Sequence, residues 1–140
     1  MLWISVGFNG RTLPLGWVRV PPEGNSDLAL QQELLTWLKQ IVSAEKQVVI
    51  VADREFHSIH LAQWIEHESG FDYILRIKAG TYIEFDGGVM KTSGIAVCGD
   101  SFRLSGVKVT KDARLQYRTN LTVHWAEDED EAWILATNSG

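Results

Sequence analysis

Apolar and polar positions divide the chain into a first part with clear periods and a second part of short alternating pieces. Residues 2–8 and 12–20 are apolar-rich and are separated by Asn9-Gly10. Both of those residues tolerate positive φ, so the pattern predicts a tight β-hairpin. Pro14 lies within the second segment and predicts a bulge or an edge position there. Pro21-Pro22-Glu23-Gly24-Asn25 reads as a loop, and Asn25 or Ser26 as the cap of a helix reaching about Ser43. Leu28, Leu34, Leu35, Leu38, Ile41 and Val42 fall mostly at helical spacing and predict one apolar stripe, with Trp37 at its rim.

The next stretch, Val48-Val49-Ile50-Val51-Ala52, is unbroken in its apolarity and rich in β-branched residues. It predicts a strand buried on both faces, ending at Asp53-Arg54-Glu55. Ser58 is the expected cap of a second helix reaching about Glu68, with Leu61, Ala62, Trp64 and Ile65 as its apolar face. Ser69-Gly70 ends that helix, and residues 73–78 read as a further strand. Helix, buried strand, helix, strand is the order of a parallel crossover unit, so the fold class is α/β. After Lys78 the helical period disappears. Short β-like pieces alternate with turns such as Asp86-Gly87-Gly88 and Gly99-Asp100 through residues 81–131, which predicts a β-rich insertion built from hairpins. Residues 132–138 then return to a buried strand.

Composition adds a few bounds. At 140 residues the chain is long enough for a sizeable core, and 45% hydrophobic against 22% charged residues is ordinary for a soluble globular protein. The start lacks the basic-then-apolar pattern of a signal peptide, no run is long enough to span a membrane, and Cys98 is the single cysteine. A cytoplasmic protein without internal disulfides is expected, with Cys98 as a small buried or half-buried hydrophobe. The net charge of -5 comes from one run, Glu127-Asp128-Glu129-Asp130-Glu131, and the remainder is balanced. That run reads as a solvated loop. A modest basic stretch, Arg103, Lys108, Lys111, Arg114 and Arg118, precedes it. Charge therefore neither demands nor excludes nucleic acid.

Asp53 is the residue best placed for chemistry. Ligands gather at the carboxyl ends of strands in open α/β sheets, and a carboxylate there needs a compensating partner such as a divalent cation. Capping of the following helix, or pairing with Arg54, is the structural alternative. Glu55 is better read as favouring a helix N-terminus than as a second ligand. Arg54, Arg76 and Lys78 lie at strand ends near the same edge, where they serve either as phosphate contacts or as a solvated rim. The histidines give little: His57 and His60 are three apart, without an evident third ligand. No phosphate-binding loop, nucleophile elbow or dinucleotide fingerprint is present.

The run Val49-Ile50-Val51-Ala52-Asp53-Arg54-Glu55-Phe56, followed by Leu61-Ala62-x-Trp64-Ile65 and Tyr73-Ile74-Leu75-Arg76-Ile77-Lys78, resembles the catalytic domain of bacterial insertion-sequence transposases of the DDE class. Gly10-Arg11-Thr12-Leu13-Pro14-Leu15-Gly16-Trp17 is similar to that family's early hairpin, and Trp133-Ile134-Leu135-Ala136-Thr137-Asn138 to the strand after its β-rich insertion. The resemblance implies an incomplete ribonuclease H-like mixed sheet with flanking helices. Residues 1–80 would form a partial core, 81–131 the insertion and 132–140 the returning strand. It also implies DNA transposition and DNA recombination chemistry. In such enzymes three carboxylates hold two Mg2+ (or Mn2+) ions for cleavage and strand transfer at transposon ends.

Asp53 corresponds to the second of those acids and is the implied catalytic and metal residue. Arg54, Arg76, Lys78, Arg103, Lys108, Lys111, Arg114 and Arg118 are the implied DNA-binding residues. The chain is expected to begin after the first acid and to stop before the third. A truncated, inactive fragment that does not hold magnesium tightly is therefore expected, with self-association left open. Two other readings stand beside it: a non-catalytic DNA-binding or regulatory module, and another ribonuclease H-like nuclease. The long insertion argues against the latter.

Overall fold

The computed structural model describes residues 2–18, 28–53, 59–78, 80–109 and 117–138. The expected caps Asn25, Ser26 and Ser58, together with Arg54, Glu55, His57, Lys111 and Arg114, lie outside the described residues. The chain separates into two compact units, Met1–Lys46 and Gln47–Gly140.

In the first unit, strands β1 (Leu2–Phe8) and β2 (Arg11–Val18) form the expected antiparallel hairpin. Asn9 at φ 49° and Gly10 at φ 73° make its turn, which matches the right-handed twist of the strands. Ile4 faces Gly16 while Ser5 faces Pro14, so Leu15 is the extra residue of a bulge. Proline has no N–H for a ladder, and the register shifts beside it. Helix α1 (Leu28–Ile41) follows. Leu34, Leu35 and Leu38 are buried as expected, but so is Gln31, while Ile41 is exposed. Trp37 lies over β2, where a Cβ on Gly16 would come within 2.7 Å of its ring.

The second unit is built on a seven-stranded mixed sheet in the order β3-β4-β9-β8-β7-β5-β6. Its strands are β3 (Val49–Ala52), β4 (Asp72–Arg76), β5 (Tyr82–Phe85), β6 (Gly88–Lys91), β7 (Ser101–Val109), β8 (Tyr117–His124) and β9 (Trp133–Thr137). β3 and β4 are parallel, as the crossover pattern requires, and all other pairs are antiparallel. The region read as an insertion continues the β3-β4-β9 sheet edgewise rather than forming a second layer.

One expectation is overturned at β3. The strand is not buried on both faces: Val49 is 43% and Val51 73% exposed. β3 lies at the end of the sheet, where β4 is its partner among the described residues. Its Ile50 face turns toward the core and its Val49 and Val51 face is open. An apolar run of β-branched residues reports strand propensity, not two covered faces.

Helix α2 (Ile59–Trp64) lies between β3 and β4 in sequence and buries Leu61 and Ala62. It passes into a π turn (Ile65–Ser69) and ends at Gly70, φ 73°, in the left-handed conformation that glycine adopts without a Cβ penalty. Ile65, Tyr73, Leu75, Ile83, Val107, Val109, Leu121, Val123, Ile134 and Ala136 form the core. Across β7 and β8 the register slips between Leu104 and Val107. Gly106, at φ 65°, makes the bulge, and its N–H donates to Asn120 Oδ1 at 3.0 Å. The bulge restores alternation, so Leu104 and Val107 both face inward despite their odd spacing. Cys98 is exposed, contrary to the expected buried or half-buried position, because it sits in a turn between β6 and β7.

Candidate functional site

Asp53 follows directly on the last residue of β3. Side chains alternate along a strand, so it shares the open face with Val49 and Val51. β3 and β4 run parallel with Ala52 beside Leu75, which brings the next pair, Asp53 and Arg76, side by side. Arg76 Nη1 stands 3.7 Å from Asp53 Oδ1. β9 lies on the other side of β4, with Leu135 opposite Arg76. Two residues earlier on the same face, the Trp133 ring carries the guanidinium at 4.0 Å from its centroid. Just before β9, Glu131 Oε1 accepts a hydrogen bond from Arg76 Nη2 at 3.1 Å.

Arg76 is thus held by two carboxylates and an indole. Its side chain is only 11% exposed, whereas that of Asp53 is 75% exposed. A stacked, two-sided guanidinium is a charge fixed in direction, a role that arginine's planar fork fills better than lysine.

The acidic run that supplies Glu131 is an exposed loop, as expected, with hydrogen bonds of its own. Trp125 Nε1 donates to the Glu129 carbonyl at 3.0 Å, and the Glu129 N–H donates to the Ala126 carbonyl at 3.0 Å. Nothing in the sequence signals the contact of Glu131 with Arg76, since the two are 55 residues apart.

The other candidates fall on the same sheet face or at its edge. Pairing runs Arg76 to Leu135, Leu135 to Thr122 and Thr122 to Arg103, so Arg103 continues the cross-strand row that starts at Asp53. Four strand spacings separate the two ends, about 19 Å. Lys108 and Arg118 are direct cross-strand partners further along β7 and β8, on that face as well. Lys108 pairs with Glu84 at 3.7 Å, and Arg118 Nη1 donates to the Gly106 carbonyl at 3.0 Å. Lys78 is exposed beyond the end of β4. Its carbonyl accepts hydrogen bonds from the Thr81 N–H at 3.1 Å and Thr92 Oγ1 at 3.2 Å.

The opposite face carries a different polar cluster. The Tyr73 hydroxyl lies 2.7 Å from those of both Tyr117 and Thr119, and Thr119 Oγ1 donates to the Thr137 carbonyl at 3.1 Å. Tyr117 donates to the Glu66 carboxylate on the π turn, and His67 meets the Tyr117 ring edge-on at 6.3 Å. Burial pushes both phenol pKa values up, and for Tyr117 the hydrogen bond to Glu66 adds to it. These hydroxyls remain protonated donors that anchor the π turn to the sheet.

Residues 3–130 match the transposase DDE domain family. The chain belongs to that family, whose members act on DNA and generally use divalent metal ions. The match takes in the hairpin, the Asp53 strand and β4 through β8, and ends before β9. No curated protein matches the chain. A seven-stranded mixed sheet and two helices in one α/β chain are consistent with the incomplete ribonuclease H-like fold that the resemblance implies.

The described residues do not fit a two-metal centre. Among them, no group of three metal-ligating side chains comes together. Asp53 instead faces a guanidinium, and a second carboxylate reaches the same guanidinium from its other side. Among the described residues no helix is long and apolar enough to cross a membrane.

Proposed function

We propose that the chain is part of the DNA strand cleavage and transfer apparatus of an insertion-sequence transposase, and that residues 1–140 alone bind DNA without cutting it. The observation that carries this reading is the placement of Asp53, Arg103, Lys108 and Arg118 on one open face of one sheet. Three cations on that face, Arg103 and Lys108 of β7 and Arg118 of the neighbouring β8, suit the sugar–phosphate backbone, which is recognised by charge and not by base edges. Lys78 adds to it at the sheet edge, and Arg54, Lys111 and Arg114 are further candidates. Asp53 is the family's carboxylate. A lone carboxylate beside a guanidinium cannot arrange two Mg2+ ions for in-line displacement, so strand cleavage needs acids from outside these residues. A cytoplasmic location and a DNA partner follow from the same reading.

The test has two arms. Plasmid nicking with Mg2+ or Mn2+ is expected to be absent from the 1–140 protein, and nicking that disappears in Asp53→Ala would overturn the inactivity. Fluorescence anisotropy with duplex DNA is expected to show affinity that falls steeply with salt. Arg103→Ala should lower the log–log salt slope by about one. Salt-insensitive or absent binding would remove the DNA-binding role.

A further inference from the structure

We propose that Arg76 is a built-in counter-ion of Asp53, held in place by Glu131 and Trp133, which a divalent cation must displace before it can reach that carboxylate. Three independent contacts converge on the guanidinium: Asp53 at 3.7 Å, Glu131 at 3.1 Å and the Trp133 ring at 4.0 Å. They come from three separate places, the end of β3, the turn before β9 and β9 itself. The contact with Asp53 alone would be weak, because that carboxylate is largely in water. The other two contacts fix the guanidinium whether or not Asp53 is engaged. They remove most of the conformational freedom that a free arginine would lose on pairing, so its positive charge stays beside Asp53.

A cation approaching Asp53 thus meets a fixed positive charge a few ångströms away. Removing that charge should end the repulsion while leaving Asp53 itself in place. The inference rests on Asp53 being the carboxylate of interest, as proposed above. Its test contains no DNA, so failure to nick or bind DNA leaves it standing.

The test is paramagnetic broadening of amide signals during Mn2+ titration of the 1–140 protein, followed residue by residue. In the unaltered protein, the acidic turn at 127–130 is expected to broaden before Asp53 does. In Arg76→Gln, Asp53 and its neighbours should broaden at a roughly tenfold lower Mn2+ concentration, the size expected for removing one charge at this separation. Asp53→Asn added to Arg76→Gln should abolish that gain. Arg76→Lys keeps the charge but loses the fork and the stack, so it should fall between the two and serves as the deciding variant if Arg76→Gln does not fold. Equal Mn2+ concentrations for the unaltered protein and the variants, or broadening in Arg76→Gln that survives Asp53→Asn, overturns the proposal.

Discussion

The two faces of the seven-stranded sheet solve the problem of polar groups in opposite ways. On the α2 face, hydroxyls and one carboxylate are drawn into a network around Tyr73, Tyr117, Thr119 and Glu66, surrounded by side chains with almost no exposure. On the Asp53 face, charges pair across solvent and apolar residues such as Val51 and Trp133 stand partly in water. The first arrangement is bound up with stability, since each buried polar group there needs its partner. The second is suited to exchange, since exposed pairs hold one another weakly and can be replaced by a ligand. A site that must admit DNA belongs on the second kind of surface.

The sharpest way to break the comparison is to remove volume from each face. Ile65 is fully buried between the π turn and the sheet. Ile65→Ala should cost about 3 kcal/mol, as the loss of a buried side chain with incomplete collapse does. Val51→Ala on the open face, where Val51 is 73% exposed, should change stability by no more than about 1 kcal/mol. Chemical denaturation of both variants checks this, and similar costs would mean that the two faces are not energetically distinct.

Next in size is the hydroxyl network. Tyr117→Phe removes the hydrogen bonds that link Tyr117 to the Glu66 carboxylate and to the Tyr73 hydroxyl, while Tyr73 keeps Thr119, and should cost about 1 kcal/mol. The network also sets a pH dependence whose sign is fixed. Burial raises the pKa of Tyr73 and Tyr117 in the folded chain. Above about pH 10 the unfolded chain therefore holds fewer protons at these groups than the folded one. The stability they contribute is present in full below about pH 10 and is lost progressively as the pH rises beyond it. Urea midpoints should be flat up to that point and then fall. Tyr73→Phe with Tyr117→Phe should flatten the fall, and an unchanged alkaline slope in the double variant would count against the network.

How much of this was legible beforehand differs between the faces. The hairpin could be read from Asn9-Gly10, the crossover from the order of periods, and Asp53 from its place after an apolar strand. These are local signals. The open side of β3 could not be read, because Val49 and Ile50 look alike in sequence and only sheet order separates them. The convergence of Arg103, Lys108 and Arg118 depended on the Gly106 bulge, which resets the alternation of β7. Glu131 was hidden for another reason. Five consecutive acids look equivalent, and which of them meets Arg76 is decided by the turn that Trp125 organises.

On the Asp53 face itself the expected effects are smaller. Trp133→Ala removes the platform under Arg76 and should cost about 1 kcal/mol, part of it from the lost cation–π contact.

The smallest expected effect is that of Asp53→Asn, below about 1 kcal/mol, because its carboxylate is largely in water and its contact with Arg76 is long. The physical reason is asymmetry. Arg76 keeps Glu131 and the Trp133 ring when Asp53 is neutralised, so no buried charge is stranded. The reverse substitution, Arg76→Gln, removes the charge that both carboxylates share together with the stack on Trp133, and should cost more. A double-mutant cycle between Asp53→Asn and Arg76→Gln separates the pair from its surroundings. A coupling under about 1 kcal/mol would place Asp53 on the exchangeable side of the comparison, available to a partner from outside the chain. A coupling of several kcal/mol would show that this carboxylate is locked as firmly as the tyrosines behind it, and that the two faces differ less than their exposure implies.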